Sequence, residues 1–361
     1  MTNALIINAD ALSIPLADQS VQCIVTSPPY FGLRDYGVKG QLGLERSIEE
    51  YVENMLTVFR ECRRILKDDG TLWLNIGDSY NAHSCGRGVV GGIEGNRKNK
   101  RDNTANRNRA NLATVKDKDL IGIPWRIAFA LQSDGAASPE TMLVIERMRT
   151  AILASYDSWD AVPDRVIAEI ESLDREYADA RKGGWYLRSD IIWHKPNPMP
   201  ESIRDRPTKS HEYLFLLSKS ARYYYDAESI AEPAVHAGEI RRNNKNGKNG
   251  QMGKYGQTRQ GLAKDGGLEI KPTRNRRTVW TVPTQAVPYA HFATMPEKLI
   301  EPCILAGSRP GDIIFDPFGG SGTTSRVAAQ LGRRGVSVEL NFDYIQIAKK
   351  RISEVQIQLG L

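Results

Sequence analysis

Short apolar, β-branched runs alternate along this chain with longer stretches of helical period. Residues 4–7 and 21–26 (VQCIVT) predict strands. Ser27-Pro28-Pro29-Tyr30 stops the second, because neither proline can donate a ladder hydrogen bond. Over 47–66, Ile48, Tyr51, Val52, Met55, Leu56, Phe59 and Cys62 lie at the three- and four-residue spacing of an amphipathic helix, and Gly70 predicts a turn after it. Residues 71–76 (TLWLNI) predict the next strand, followed by Gly77-Asp78-Ser79. Further strands are predicted over 186–193, 213–217, 278–282, 313–315 and 335–339, and helices over 120–131, 296–307, 323–331 and 344–359. A helical pair is predicted over 139–182, with Val162, Val166, Ile167, Ile170, Leu173 and Tyr177 on one stripe of its second member. Such alternation predicts an α/β fold, a mainly parallel sheet covered on both faces. Residues 83–111 and 235–267 break the rhythm. They are poor in apolar residues and rich in Gly, Asn and basic side chains, which predicts surface loops.

Length and composition narrow the picture. The 361 residues, 40% hydrophobic and 25% charged, suffice for one large α/β domain with insertions or two modest domains. No apolar run approaches the roughly 18–20 residues a membrane span needs. The start, MTNALIINADAL, lacks the pattern of a secretory signal. Cys23, Cys62, Cys85 and Cys303 lie far apart with no CxxC pair, so neither a zinc ribbon nor a disulfide framework is expected. A cytoplasmic protein without a metal is the expectation.

The net charge of +6 is unevenly spread. Residues 239–277 hold eleven Lys/Arg against three Asp/Glu, and 86–118 hold nine against three. Positive charge focused in two loops fits a partner made of phosphates. The predicted helical pair is acidic, ten acids against six bases, and is expected to pack on the domain or on a second subunit.

Two turns carry candidate chemistry. In IIFDPFGGSGTTSRVAAQLGRRGVSVEL a buried strand runs into glycines and then a helix, and Glu339 stands twenty-three residues after Asp316 at the end of the next strand. Glycines allow close backbone approach to a ligand, and an acid at that distance binds ribose hydroxyls in Rossmann-type sites. Asp316 before the glycines disfavours a pyrophosphate and suits a cofactor with an amino group and a ribose, such as S-adenosylmethionine. In VTSPPY, Ser27 and the Pro28 carbonyl offer two fixed acceptors at a strand end. Two acceptors can bind both hydrogens of an exocyclic amine and localise its lone pair, and Tyr30 offers a face for an unstacked base.

VTSPPY, DPFGGSGTT and the downstream Glu339 together resemble the β class of amino-group DNA methyltransferases, in which the catalytic motif precedes the cofactor motif. The resemblance implies a Rossmann-like methyltransferase sheet in permuted motif order, with inserted loops and the helical pair as an insertion. It implies S-adenosylmethionine as cofactor, held by Asp10, Thr294, Met295, Asp316, Phe318, Gly319, Gly320, Ser321, Gly322, Thr323 and Glu339. It assigns the target base to Ser27, Pro28, Pro29 and Tyr30. The implied layout is a catalytic domain over 1–82, 119–132, 185–234 and 278–361, a basic mobile loop over 83–118, the insertion over 133–184 and a target-recognition region over 235–277. Ser before Pro-Pro-Tyr favours cytosine N4, with adenine N6 the alternative. A protein-amide or RNA methyltransferase is a more distant alternative, and a DNA-binding regulator without turnover a further rival. The resemblance also implies a place in restriction-modification and, together with the acidic helical pair, a homodimer.

An amine inside a duplex is out of reach, so the base must flip out and the protein must grip the backbone. Arg241, Arg242, Lys245, Lys248, Arg274, Arg276 and Arg277 are the candidates for double-stranded DNA, with His194 as a further phosphate contact. Arg34-Asp35-Tyr36 is either a lining of the base pocket or a local ion pair. Affinity for duplex DNA should fall steeply between low and high salt in a filter-binding titration. A flat response would remove the DNA assignment.

Overall fold

The computed structural model describes residues 4–81, 115–135, 162–180, 183–241, 268–285 and 294–358, with isolated positions between 147 and 154. In chain order the elements are β1 (Ala4–Asn8), β2 (Val21–Thr26), α1 (Ile48–Ile65), β3 (Leu66–Ile76), α2 (Ile123–Ser133), α3 (Asp164–Ala180), β4 (Tyr186–His194), β5 (His211–Ser218), β6 (Glu232–Pro233), β7 (Ile240–Arg241), β8 (Leu268–Glu269), β9 (Thr273–Arg274), β10 (Val279–Thr281), α4 (Glu297–Gly307), β11 (Ile313–Asp316), α5 (Thr323–Gln330), β12 (Arg334–Glu339) and α6 (Phe342–Gln358). Eight strands form one sheet in the order β1-β12-β11-β2-β3-β5-β4-β10. Only β5 runs against its neighbours β3 and β4, and the other pairings are parallel.

The strand period of two explains how both faces are covered. In β2, Ile24 belongs to one core cluster while Cys23 and Val25 belong to the other. In β3, Leu72 and Leu74 face the first and Trp73 the second, and β5 divides the same way. Helix α1 seals the first face with Tyr51, Met55, Phe59 and Cys62, all fully buried. Helix α4 seals the second with Leu299, Ile300, Cys303 and Ile304. Cys303 is thus a core residue, its thiol 3.2 Å from the Leu299 carbonyl.

Several local expectations shift. Ser47 caps α1 by accepting the Glu50 amide at 3.1 Å, but no turn follows the helix. Leu66 passes straight into β3, and Gly70 lies inside that strand. A Cβ there would sit 2.6 Å from the Leu66 side chain and 2.9 Å from the Gln22 carbonyl, so the glycine serves close strand approach at a register irregularity. Helix α2 begins at Ile123 rather than 120, because the Asp78 carboxylate accepts the Gly122 and Ile123 amides at 3.0 and 3.1 Å and caps it from a distant loop. The basic segment after β5 is not wholly irregular: β6 pairs with β9 and β7 with β8, two short ladders at its base. Apart from isolated positions between 147 and 154, the first helix of the predicted acidic pair lies outside the described residues, as does most of the 83–118 loop. The second helix is α3, where Ile170 and Leu173 are buried. Among the described residues no helix is long and apolar enough to cross a membrane.

Helix α5 packs onto β12 at Gly335, where a Cβ would fall 2.5 Å from the Ser325 backbone. Backbone cannot yield as a side-chain tip can. Gly335→Ala should therefore destabilise by about 1–3 kcal/mol in urea unfolding, and wild-type stability would refute this packing.

Candidate active site

Parallel strands place their carboxyl ends on one edge, the edge at which open α/β sheets bind ligands. Here the ends of β1, β2, β3, β11 and β12 open into one cavity of about 430 Å³. Asp10, Ser27, Pro28, Pro29, Tyr30 and the residues from Asp316 to Ser321 all line it, as do Thr323 and Glu339. The Pro-Pro corner and the glycine turn share this space because β2 and β11 are neighbours, paired at Ile24–Phe315. The Thr26 hydroxyl closes the junction by donating to Asp316 Oδ1 at 2.6 Å.

Asp316 is buried and accepts three hydrogen bonds: the Thr26 bond, the Phe318 amide at 3.0 Å and the Thr324 hydroxyl at 2.9 Å. Burial nevertheless raises its carboxyl to about 6, against the lowering effect of these donors. Glu339 is also raised by burial, while accepting the Gly320 amide at 2.7 Å and the Asn341 amide at 2.8 Å. A carboxylate has about four lone-pair sites. Each acid therefore retains acceptor capacity toward the cavity.

The glycine turn is built by close packing. Gly319 donates to the Val338 carbonyl at 2.9 Å, and Gly322 adopts φ +75° where a Cβ would lie 2.8 Å from Ala348 Cβ. Ser321 and Thr323 are engaged from behind. Buried Arg351 of α6 donates to the Ser321 carbonyl and hydroxyl at 2.8 and 2.6 Å and to the Thr323 hydroxyl at 3.0 Å. Their side chains are anchors of the turn, and Arg351 is a residue that spacing alone gave no reason to single out. At the cavity rim Asp10 Oδ1 accepts the Leu12 amide at 2.9 Å. Thr294, Met295 and Phe318 line the wall, with Met295 packed against the second core cluster and Phe318 against the first.

At the other end of the cavity, fully buried Tyr51 donates its hydroxyl to the Pro29 carbonyl at 2.7 Å. That bond fixes the corner from below and leaves Ser27 and the Pro28 carbonyl as the acceptors not claimed by a described residue. Tyr30 is more constrained than a simple stacking face. Its ring packs on Gly77, where a Cβ would lie 2.6 Å from Cε2, and its hydroxyl donates to Glu212 Oε2 at 2.7 Å. Burial and the Glu212 charge push the phenol well above its usual range, so it stays protonated. Asn75, Lys195 and Glu212 also line the cavity; Lys195 and Glu212 stand beside histidines at predicted strand ends, and the sequence assigns none of the three a role there. Arg34 and Tyr36 line it too, whereas Asp35 accepts the Gly37 amide at 2.8 Å. His194 lies against the Thr281 hydroxyl at 3.2 Å.

The basic candidates are less gathered. Arg274 and Arg277 both donate to Glu232, at 2.8 and 2.5 Å, and Arg276 lies over the Trp280 ring at 4.5 Å. Arg241 sits in β7, and Arg242, Lys245 and Lys248 lie outside the described residues.

A family model described as DNA methylase, of the N6/N4 type, matches residues 21–350. The chain is 41% identical over 357 residues to the type II methyltransferase M.Cfr9I of Citrobacter freundii, spanning 98% of this chain and 88% of that protein. It is 41% identical over 343 residues to the type II methyltransferase M.SmaI of Serratia marcescens, spanning 93% and 86%. Among solved structures, the cytosine-N4-specific PvuII DNA methyltransferase superposes with a TM-score of 0.55 at 17% identity, over 100% of this chain and 94% of that one. A Thermus thermophilus DNA modification methylase complexed with S-adenosyl-L-methionine gives 0.50 at 21% identity, over 98% and 94%. These two likenesses bear on the fold.

The Asp316 environment has a consequence for stability. A carboxyl whose folded value lies above its unfolded one stabilises most below the unfolded value, and loses that contribution as pH rises through about 6. Between pH 4 and 7 the unfolding free energy should fall by up to about 3 kcal/mol relative to Asp316→Asn. Parallel stability–pH curves for the two proteins would contradict this.

Proposed function

The chain belongs to the N6/N4 DNA methylase family, and from that premise we propose that it transfers a methyl group from S-adenosylmethionine to N4 of a flipped cytosine in duplex DNA, as the modification half of a type II restriction-modification pair. The observation that carries this reading is the single cavity shared by the Ser27-Pro28-Pro29-Tyr30 corner and the glycine turn. Its volume suits one small-molecule site.

The residues present fit the cofactor. Asp316 and Glu339, both raised by burial, keep acceptor capacity for an ammonium and for ribose hydroxyls. Gly320, at φ +49°, has no side chain between its backbone and the cavity, and its nearest would-be Cβ contact is 3.8 Å away. Asp10, Thr294, Met295 and Phe318 complete the proposed set. S-adenosylmethionine supplies an electrophilic methyl group on a sulfonium.

The protein's part is to turn a poor nucleophile into a better one. Ser27 Oγ and the Pro28 carbonyl accept the two hydrogens of the exocyclic amine. That draws the nitrogen toward tetrahedral geometry and localises its lone pair away from the ring. Tyr51, holding the Pro29 carbonyl, keeps the corner rigid. As the nitrogen bonds to the methyl carbon, the carbon–sulfur bond would break to leave a neutral thioether and one amine proton would pass to water. The sulfonium supplies the electrophile, so the scheme calls for neither a metal nor a covalent enzyme intermediate. Ser27 in place of an acidic residue supports cytosine over adenine, although adenine N6 presents the same pair of donors. The basic segment 235–277 is proposed to read DNA. For Arg274 and Arg277 this means exchanging Glu232 for phosphate or guanine.

Expression in a methylation-free host followed by long-read modification sequencing should reveal N4-methylcytosine at one short word. N6-methyladenine there would overturn the base assignment, and unmodified DNA the function. Labelled methyl transfer to RNA or protein in preference to DNA would support the rival substrates. Ser27→Phe should lower transfer at least about 100-fold while S-adenosylmethionine binding persists.

A further inference from the structure

Beneath the Pro-Pro corner lies a hydrogen-bonded cluster that the transfer chemistry above does not use. The register of β4 with β5 sets Trp193 opposite Glu212, and Lys195 follows β4 directly. Lys195 lies over the Trp193 ring at 4.2 Å and donates its ammonium to Glu212 Oε1. Both side chains are largely buried, 18% and 15% exposed. A buried ion pair is a weak source of stability compared with an apolar pair of like volume. Its place on the cavity wall asks for a functional reason.

Resting on the reading that Ser27 grips the amine, we propose that Glu212 is a positioning residue which, through Tyr30, forces Ser27 to act as a hydrogen-bond acceptor. An ionised carboxylate can only accept. Lys195, Asn75 Nδ2 at 3.2 Å and the Tyr30 hydroxyl at 2.7 Å all donate to it. Asn75 cannot reverse its amide freely, because its nitrogen also donates to the Tyr213 carbonyl at 3.0 Å, and its oxygen faces Tyr30 at 3.3 Å. Both neighbours of the phenol on that side are therefore acceptors. The single phenolic proton is committed to them, which leaves the Tyr30 oxygen only its lone pairs to offer Ser27.

Ser27 Oγ lies 3.5 Å from the Tyr30 oxygen, a long contact of the kind that shortens when a site closes on its substrate. On this proposal the serine proton is directed along it, inward, which leaves the serine lone pairs to the cavity. This polarity matters chemically. A serine that donated to the amine nitrogen would occupy the lone pair that must attack the methyl carbon. A serine that accepts from an N–H leaves that pair free. Glu212 thus determines the direction of a hydrogen bond two groups away.

The test is a double-mutant cycle read by tritiated methyl transfer from S-adenosylmethionine to unmethylated plasmid DNA. Glu212→Gln keeps the shape but can donate as well as accept, and should lower kcat about 10–100-fold with KM for S-adenosylmethionine unchanged. Tyr30→Phe removes the relay. Adding Glu212→Gln to it should lower kcat by no more than about twofold further, because the two act in series. Multiplying losses, or a Glu212→Gln kcat within twofold of wild type, would overturn the proposal. The charge-free pair Lys195→Met with Glu212→Met avoids a stranded ammonium and should show the same loss, and full activity there would also overturn it. Absence of transfer by the wild-type protein would instead strike at the methyltransferase reading.

Discussion

The hydrogen bond from Thr26 to Asp316 is the contact on which the rest of the site depends. It joins the ends of two neighbouring parallel strands whose sequences lie 290 positions apart. One strand delivers the Pro-Pro corner and the other the glycine turn. A hydrogen bond to a charged group contributes about 1.5–3 kcal/mol. Here it also offsets part of the desolvation of a carboxylate that the core would otherwise expel. Asp316 is therefore both a pillar of the sheet edge and an acid left incompletely neutralised beside a cavity, and its raised carboxyl reflects that double duty.

The chemistry divides between the two ends of the cavity. The glycine end is negative and made of backbone, with Arg351 holding the turn from behind through Ser321 and Thr323. The corner end is made of acceptors whose directions are fixed from below: Tyr51 under the Pro29 carbonyl, and Glu212 under Tyr30. A methyl group passing from a cation to an amine needs this asymmetry, an acidic cradle on one side and oriented oxygen lone pairs on the other. The antiparallel strand β5 has a specific part in it, because its pairing with β3 and β4 brings Asn75, Lys195 and Glu212 together.

Much was legible from local pattern. The β2 bounds, the Ser47-led helix, the strand–glycine–helix unit and the closing helix follow from periodicity and capping within a few residues. So does the placement of both motifs at strand ends, since topology brings carboxyl ends of parallel strands to one edge. The family likeness, rested on VTSPPY, DPFGGSGTT and Glu339, agrees with the matched span and with relatives at 41% identity. The misjudged positions share a cause. Local pattern marks Gly70 as punctuation, yet its role is to admit the Gln22 carbonyl of a neighbouring strand. Periodicity places the start of α2 by its own residues, yet Asp78, forty-four positions earlier than Gly122, supplies the cap.

The order of residues by itself determined the elements, the alternation that makes an α/β sheet, and the two turns whose side chains and glycines name the chemistry. These are consequences of short-range sterics and hydrophobic period, which a chain carries in any window of ten to twenty residues. Only the tertiary structure decided that Thr26 meets Asp316, that Arg351 holds Ser321, and that Glu212 and Lys195 stand under Tyr30. Such pairs depend on strand order and register, which no spacing along the chain encodes. They form because burial leaves each polar group needing a partner, and the fold determines which partner is within reach.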